Sequence, residues 1–212
     1  VNSCFSSFFP YQSVPCGSKF NAAPTIVRAA QTKDLRAMAE ILTDSFHPPQ
    51  GTIGWLNPLL KLGIYEDLRS RLHAKSSQYL CLVASIPSGD RSDRQEDIVG
   101  TVEVSVRSHF SWSIANLNLT YPYVSNLAVK DSYRRQGIAR KLLLSCERTA
   151  SEWGFKQISL HVLENNDRAR QLYFSSGYQL QQVEYTLGEW LFNRSRRLLL
   201  NKEISRTHQT RG

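Results

Sequence analysis

Asn126-Leu127-Ala128-Val129-Lys130-Asp131-Ser132-Tyr133-Arg134-Arg135-Gln136-Gly137-Ile138-Ala139-Arg140 is the stretch on which the reading of the fold turns. Its first four residues close an apolar, β-rich run, Tyr123–Val129, and its last three open an amphipathic helical pattern that runs from Ile138 to Trp153. Between them lies a basic turn, with Arg134, Arg135 and Arg140 placed around Gly137 and Ala139. The first turn of a helix leaves backbone N–H groups without partners in the helix and carries a partial positive charge, which suits a phosphate. Small residues at 137 and 139 let a ligand reach backbone that a larger side chain would cover. The turn has neither the Gly-Lys-Ser/Thr of a nucleoside-triphosphate loop nor the three spaced glycines of a dinucleotide loop. Taken alone, Arg-Arg-Gln-Gly is also an ordinary solvated turn.

Working outward, the chain alternates between the two structural periods. Before the turn, Thr25–Arg28 reads as a short strand. Thr32 is placed to cap a helix on which Leu35, Met38, Leu42 and Phe46 recur at three- and four-residue steps, ending at His47-Pro48-Pro49. A second helix is expected over Pro58–His73, with Leu59, Leu62, Leu68 and Leu72 as its apolar positions. Tyr79–Ile86 and Ile98–Val106 form a hairpin-like pair of β runs around a charged tip, and 108–120 lacks a period and reads as loop. After the turn come a strand at Gln157–Leu163, a helix at Asp167–Ser176, and strands near Tyr178–Val183 and Arg197–Ile204. Along Gln157–Leu163, Ile158, Leu160 and Val162 share one face, so His161 projects from the other. This order is that of an α/β domain with an antiparallel front half.

Composition narrows the function. The 212 residues are 41% apolar and 21% charged, enough for one domain with a substantial core. No run approaches the roughly 20 apolar residues of a membrane span. A net charge of +8 favours an anionic partner. Cys4, Cys16, Cys81 and Cys146 form no C-x-x-C pair, and His47 and His73 lack ligand spacing, so no metal site is expected. Cys81 and Cys146 sit in apolar surroundings and read as buried small hydrophobes. The first acidic residue is Asp34, and the serine-bearing, acid-poor start reads as an organellar transit segment. The expected division is a leader at 1–24, one domain at 25–205 and a basic tail at 206–212. Arg194, Arg196, Arg197, Lys202, Arg206 and Arg211 flank the strand Leu198-Leu199-Leu200 and read as a solvated edge. No nucleic-acid-binding signature accompanies them, so nucleic acid is not an expected partner.

The pattern Arg134-x-x-Gly137-x-Ala139 between a strand and a helix resembles the acyl-coenzyme A loop of the GNAT superfamily of N-acetyltransferases. Val99-Gly100-Thr101-Val102 matches the strand before that loop. Leu160–Asn166, followed by Arg170-Gln171-Leu172-Tyr173 and Ser176-Gly177-Tyr178, looks like the second cofactor segment. The resemblance covers residues 25–204. It implies an α/β GNAT fold, a mixed and mostly antiparallel sheet of about seven strands flanked by about four helices. Splayed central parallel strands would hold acetyl-CoA, without a metal. It further implies that the backbone of Leu127, Ala128 and Val129 pairs with the pantetheine arm like an added strand. The amides of Arg135, Gln136, Gly137, Ile138, Ala139 and Arg140 would hold the pyrophosphate, and Asn166 would contact the pantetheine region. Tyr173 would lie near the thioester sulfur as general acid. Ala139 stands where the family often has glycine.

Family members that acetylate protein N-termini carry glutamate or histidine where this chain has His161, and a tyrosine occurs where Tyr123 falls. The chain resembles the Tyr-plus-His version, with His161 as the base and Tyr123, on the preceding strand, as a further catalytic candidate or an aromatic that shapes the pocket. Gly51-Thr52-Ile53-Gly54-Trp55-Leu56 resembles the front region of plant plastid members and is expected to shape the acceptor site. The implied activity is direct acetyl transfer to N-terminal α-amines, and also to lysine ε-amines, of proteins in the chloroplast stroma. An α-amine titrates near about 8 and lysine near about 10.4, so neutralising lysine costs about 3 kcal/mol more. Arylalkylamines or polyamines are the rival acceptors, with Trp55, Trp112 and Tyr123 available to line a pocket. A non-catalytic CoA-binding or nucleic-acid-associated module is the reading from a different class. Direct transfer requires no cysteine nucleophile.

Overall fold

The computed structural model describes residues 24–46, 57–74, 76, 78–87, 96–109, 119–184 and 195–204. Strand β1 (Ile26–Ala29) leads through a 3₁₀ turn (Thr32–Asp34) into α1 (Leu35–Phe46), and α2 (Asn57–His73) follows. Then come β2 (Tyr79–Pro87), β3 (Glu96–His109) and β4 (Leu119–Val129). A second 3₁₀ turn (Asp131–Tyr133) precedes α3 (Ile138–Glu152), β5 (Gln157–Leu163) and α4 (Asp167–Ser175), and β6 (Gln179–Glu184) and β7 (Arg197–Glu203) complete the order. The seven strands form one sheet in the order β1-β2-β3-β4-β5-β7-β6. All neighbours are antiparallel except β4 and β5. With four α-helices among the described residues, this is the mixed α/β architecture expected from the chain.

Both faces of the sheet are covered, which is why its central strands are apolar almost throughout. On one face, Leu82, Val99, Val102 and Val104 pack with Ile138, Leu142, Leu143 and Cys146 of α3. On the other, Cys81, Val83 and Ile98 meet Leu35, Met38, Ile41 and Leu42 of α1 and Leu68 of α2. Each such side chain contributes about 1.5–3 kcal/mol of burial. Gly100 of β3 is required by closeness: a Cβ there would stand 3.1 Å from both the Ala128 carbonyl oxygen and Leu142 Cδ1.

Three local expectations are corrected. Thr32 lies inside the 3₁₀ turn rather than capping α1, and the Asp34 carboxylate accepts the Gln31 N–H at 2.8 Å. The longer reach of Asp34 serves because Arg28 also holds it, through bonds of 2.7 and 3.0 Å. Leu59 and Leu62 of α2 are 65% and 56% exposed, whereas Leu68 is buried at 1%. The buried stripe runs through Ile64, Leu68 and Leu72 at four-residue steps, and residues 59 and 62 fall on the far side of that helix. The expected loop at 108–120 is strand at both ends, where Arg107, Ser108 and His109 pair with Tyr121, Thr120 and Leu119. A cross-strand ladder holds backbone there without needing a side-chain period. Residues 110–118 lie outside the described residues.

The feature that makes the site is a parting of β4 from β5. The two share the pairs Tyr123↔Ser159 and Val124↔Leu160, after which β4 continues with β3 alone. The cause sits at Asn126, whose φ of 53° is left-handed and coincides with a shift of register opposite Thr101 and Glu103. An irregularity of this kind bends its strand. Asn126 Nδ2 donates to Glu103 Oε1 at 2.7 Å, and Arg71 Nη1 donates to Glu103 Oε2 at 3.0 Å. Glu103 is buried, so the bend is tied to a carboxylate whose two oxygens are both hydrogen-bonded.

Of the C-terminal basic cluster, Arg196 pairs with Glu164 at 2.7 Å, Lys202 with Glu147 at 2.6 Å and Arg197 with Glu184 at 4.0 Å. Those charges are engaged within the domain. Arg194, Arg206 and Arg211, the leader up to residue 23, the tail 206–212, His47, and the segment Gly51–Leu56 with Trp55 and Trp112 lie outside the described residues. No described helix is long and apolar enough to cross a membrane.

Candidate active site

The turn after β4 is held from within. Arg134 Nε donates to the Val129 carbonyl at 3.2 Å and its Nη2 meets Asp131 Oδ1 at 2.6 Å, so this arginine braces the loop. Arg135 and Gly137 adopt left-handed φ values of 65° and 78° and turn the chain into α3. No side chain caps α3, whose first internal bond runs from the Lys141 N–H to the Gly137 carbonyl at 3.0 Å. The N–H groups at 138–140 therefore face outward from the helix start, where an anion is favoured.

These elements wall a groove of about 630 Å³. Leu127, Ala128 and Val129 line it from β4, and Arg135, Gly137, Ile138, Ala139 and Arg140 line it from the turn and helix. Asn166 and Tyr173 line the opposite side. Of the residues singled out for the cofactor, Gln136 alone stands outside this lining. Arg168 of α4 and Phe46 of α1 also line it, neither of which a motif had marked. Asn166 has a structural duty too, since its Oδ1 accepts the Ala169 N–H at 3.2 Å and caps α4. Arg140 Nη2 donates to the Ser175 carbonyl at 2.8 Å and so spans the groove's two walls. The groove fits acetyl-CoA on three counts. Beyond Val124, β4 has a strand on one side only, leaving an edge for an extended ligand; α3 offers an uncapped N-terminus; and basic side chains surround it. A second cavity of about 660 Å³, bordered by Tyr121, Phe155, Lys156 and Ile204, brings none of these features together.

The candidate catalytic residues Tyr123 and His161 meet where the strands part. Tyr123 is opposite Ser159 in the parallel ladder, so His161, two residues further, lies on the same face as Tyr123. Their side chains meet: Tyr123 Oη is 2.9 Å from His161 Nδ1. The other ring nitrogen, Nε2, is 2.9 Å from Glu184 Oε1, which reaches in from β6. The Arg107 guanidinium lies 3.6 Å from the centroid of the Tyr123 ring and holds its plane by a cation–π contact. Neither Glu184 nor Arg107 was marked by the sequence. Each joins the site only through strand pairing, and no local spacing encodes that.

Tyr173 comes from α4 and packs on Tyr178, with ring centroids 5.9 Å apart. Burial pushes its hydroxyl up to about 12, helped by the neighbouring Tyr123 and Cys146. It therefore keeps its proton across the physiological range and can donate it. Burial, with Glu103 nearby, pushes the Cys81 thiol up to about 12, and complete burial raises Cys146 as well. Neither is exposed enough to act as a nucleophile, in keeping with their reading as small core residues. His73 Nδ1 contacts the Arg69 carbonyl at 2.7 Å, a structural role, and no group of described residues could hold a metal ion.

A family model described as Acetyltransferase (GNAT) family matches residues 35–178. The chain is 28% identical over 175 residues to GCN5-related N-acetyltransferase 10, chloroplastic, of Arabidopsis thaliana, covering 81% of this chain and 68% of that protein. It is 26% identical over 161 residues to GCN5-related N-acetyltransferase 7, chloroplastic, of the same plant, covering 64% of this chain and 59% of the relative. A third relative, thialysine N-epsilon-acetyltransferase of Bos taurus, is 32% identical over 114 residues, 54% of this chain and 64% of that one. Among solved structures, Arabidopsis thaliana NAA60 in complex with acetyl-CoA superposes with a TM-score of 0.60 at 18% identity, covering 85% of this chain and 100% of that one. At that identity the superposition speaks for the fold.

Proposed function

The chain belongs to the GNAT acetyltransferase family, and on that premise we propose that it is a plastid protein N-acetyltransferase, moving acetyl from acetyl-CoA directly to N-terminal α-amines and also to lysine ε-amines. The observation that carries this reading is the 2.9 Å contact of Tyr123 with His161, with Tyr173, which keeps its proton, neighbouring Tyr123. This supports reading a proton acceptor and a proton donor in one site.

Bound acetyl-CoA supplies the activated thioester, and the residues of the chain divide the remaining work. The free edge of β4 at Leu127–Val129 orients the ligand, and the start of α3 holds its phosphates. Tyr123 and His161 together take the proton that the acceptor amine must lose, and Tyr173 holds a proton at Oη for the departing sulfur. N-terminal amines are the easier acceptors, since lysine costs about 3 kcal/mol more to neutralise. The names of the plant relatives favour a plastid setting, and the acid-poor leader favours import into the stroma. A small-amine acceptor is the second reading, favoured by the bovine relative.

The test is mass spectrometry of protein acetylation in cells expressing the full chain, beside Tyr173→Phe and an empty vector. N-terminal acetylation that appears with the chain and falls away in the variant supports the proposal. A lysine-only pattern changes the acceptor class. No added protein acetylation, with turnover of thialysine by the purified protein, establishes the second reading instead. Imaging of the full chain fused to a fluorescent protein, outside the chloroplast, would overturn the location.

A further inference from the structure

We propose that Glu184 is a positioning residue that sets the tautomer of His161 and completes a Tyr123–His161–Glu184 relay, an inference that rests on reading Tyr123 and His161 as the base.

The argument is one of donors and acceptors. A carboxylate has no proton to give, so the 2.9 Å bond between Glu184 Oε1 and His161 Nε2 requires Nε2 to carry the hydrogen. A neutral imidazole then has its lone pair on Nδ1, and Nδ1 is the atom 2.9 Å from Tyr123 Oη. The tyrosine O–H must donate to it, which leaves the lone pairs of Oη free to accept a proton. The proton balance closes: the acceptor amine gives its proton to Oη as the O–H proton passes to Nδ1. His161 becomes an imidazolium whose two N–H groups are both bonded, with its positive charge facing the carboxylate. The opposite tautomer, protonated at Nδ1, would donate to Oη and offer no base. Carboxylate, imidazole and hydroxyl in this order serve on unrelated folds for the same reason.

The surroundings agree. The His161 side chain is 14% exposed, so bulk water is poorly placed to substitute for a lost partner, while Glu184 is 36% exposed and its replacement should not unfold the chain. Among the described residues, the charged groups facing the relay are Arg197, 4.0 Å from Glu184 on β7, and Arg107 over the Tyr123 ring from β3. Both are cations on the outer partners of the imidazole, Glu184 and Tyr123. Glu184 arrives from the end of β6, so the final hairpin supplies an orienting group to the central strands.

The test uses the full chain and Glu184→Gln, with nitrogen-15 histidine labelling. Long-range proton–nitrogen spectra should show His161 protonated at Nε2 in the parent, and a mixed or Nδ1-protonated ring in the variant, since an amide can donate as well as accept. With acetyl-CoA and an unblocked synthetic peptide, kcat should fall roughly tenfold to a hundredfold while both KM values hold. A parent ring protonated at Nδ1, or a variant with unchanged tautomer and unchanged kcat, overturns the proposal. Tyr123→Phe and His161→Gln separate the two levels. If they lose kcat and Glu184→Gln does not, only this inference falls; if they keep kcat, the base assignment falls with it. The tautomer decides even where the peptide is a poor acceptor.

Discussion

Tyr173 and Asp34 show how much one residue's surroundings decide. Tyr173→Phe keeps the packing on Tyr178 and removes only the hydroxyl, so kcat should fall by roughly 10²–10⁴ with little change in folding. Steady-state kinetics and a melting curve read the two effects separately. The raised titration of Tyr173 also has a sign: its folded value of about 12 lies above the ordinary value of about 10. Its share of stability is full below pH 10 and is lost as pH rises through 12. Melting temperatures taken from pH 9 to 12 should therefore fall less steeply in Tyr173→Phe. Asp34 runs the other way. Burial opposes its ionisation, but bonds from Arg28 and the Gln31 N–H outweigh that and hold the carboxyl below its usual range. Its contribution is present at neutral pH and lost as pH falls through the folded value. Asp34→Asn should cost about 2 kcal/mol in urea unfolding at pH 7 and much less near pH 2.

At the scale of elements, the bend in β4 carries the most consequence. Asn126 suits the position twice, tolerating a left-handed φ and donating to Glu103. Asn126→Ala should destabilise by about 1–2 kcal/mol and raise KM for acetyl-CoA, because the binding edge beyond Val124 depends on the bend. Asn126→Gly restores the backbone freedom without the bond and should recover part of the loss. Gly100→Val is the harsher change, forcing Leu142 and β4 apart, at about 1–3 kcal/mol by urea unfolding. Except at the facing ends of β3 and β4, where the expected loop is strand, helix and strand identities were legible from periodicity. Which face of α2 is buried was not, since Leu59 and Leu62 lie on its exposed side and apolar residues outside the stripe blur the pattern.

For the whole molecule, the wedge between β4 and β5 means that the sheet is joined at its centre by two register pairs, with α3 packed over one face. A ligand that pairs with the free edge of β4 should couple the two halves. At a hundred times its Kd, acetyl-CoA would stabilise the fold by about 2.7 kcal/mol. For a chain of this size that raises Tm by about 5–10 °C. Hydrogen exchange should slow at residues 125–129 and 138–140 on its addition, while exchange in β1 and β2 changes little. Slowing spread evenly over the sheet would place the ligand elsewhere.

The chain by itself determined the order of elements and the basic turn between a strand and a helix, which depend on local chemistry: period and turn residues. The candidates Tyr123, His161 and Tyr173 came from the resemblance of its motifs to a family. The chain also placed His161 on the face away from Ile158, Leu160 and Val162, since alternation along a strand is a local rule. Only the tertiary structure decided that Tyr123 and His161 touch, because their meeting depends on the register of two parallel strands 38 residues apart in sequence. It alone brought in Glu184 from β6 and Arg107 from β3, and it alone bent β4 over a buried carboxylate. Hydrogen bonds between distant strands have no period in sequence. They are set when the sheet closes.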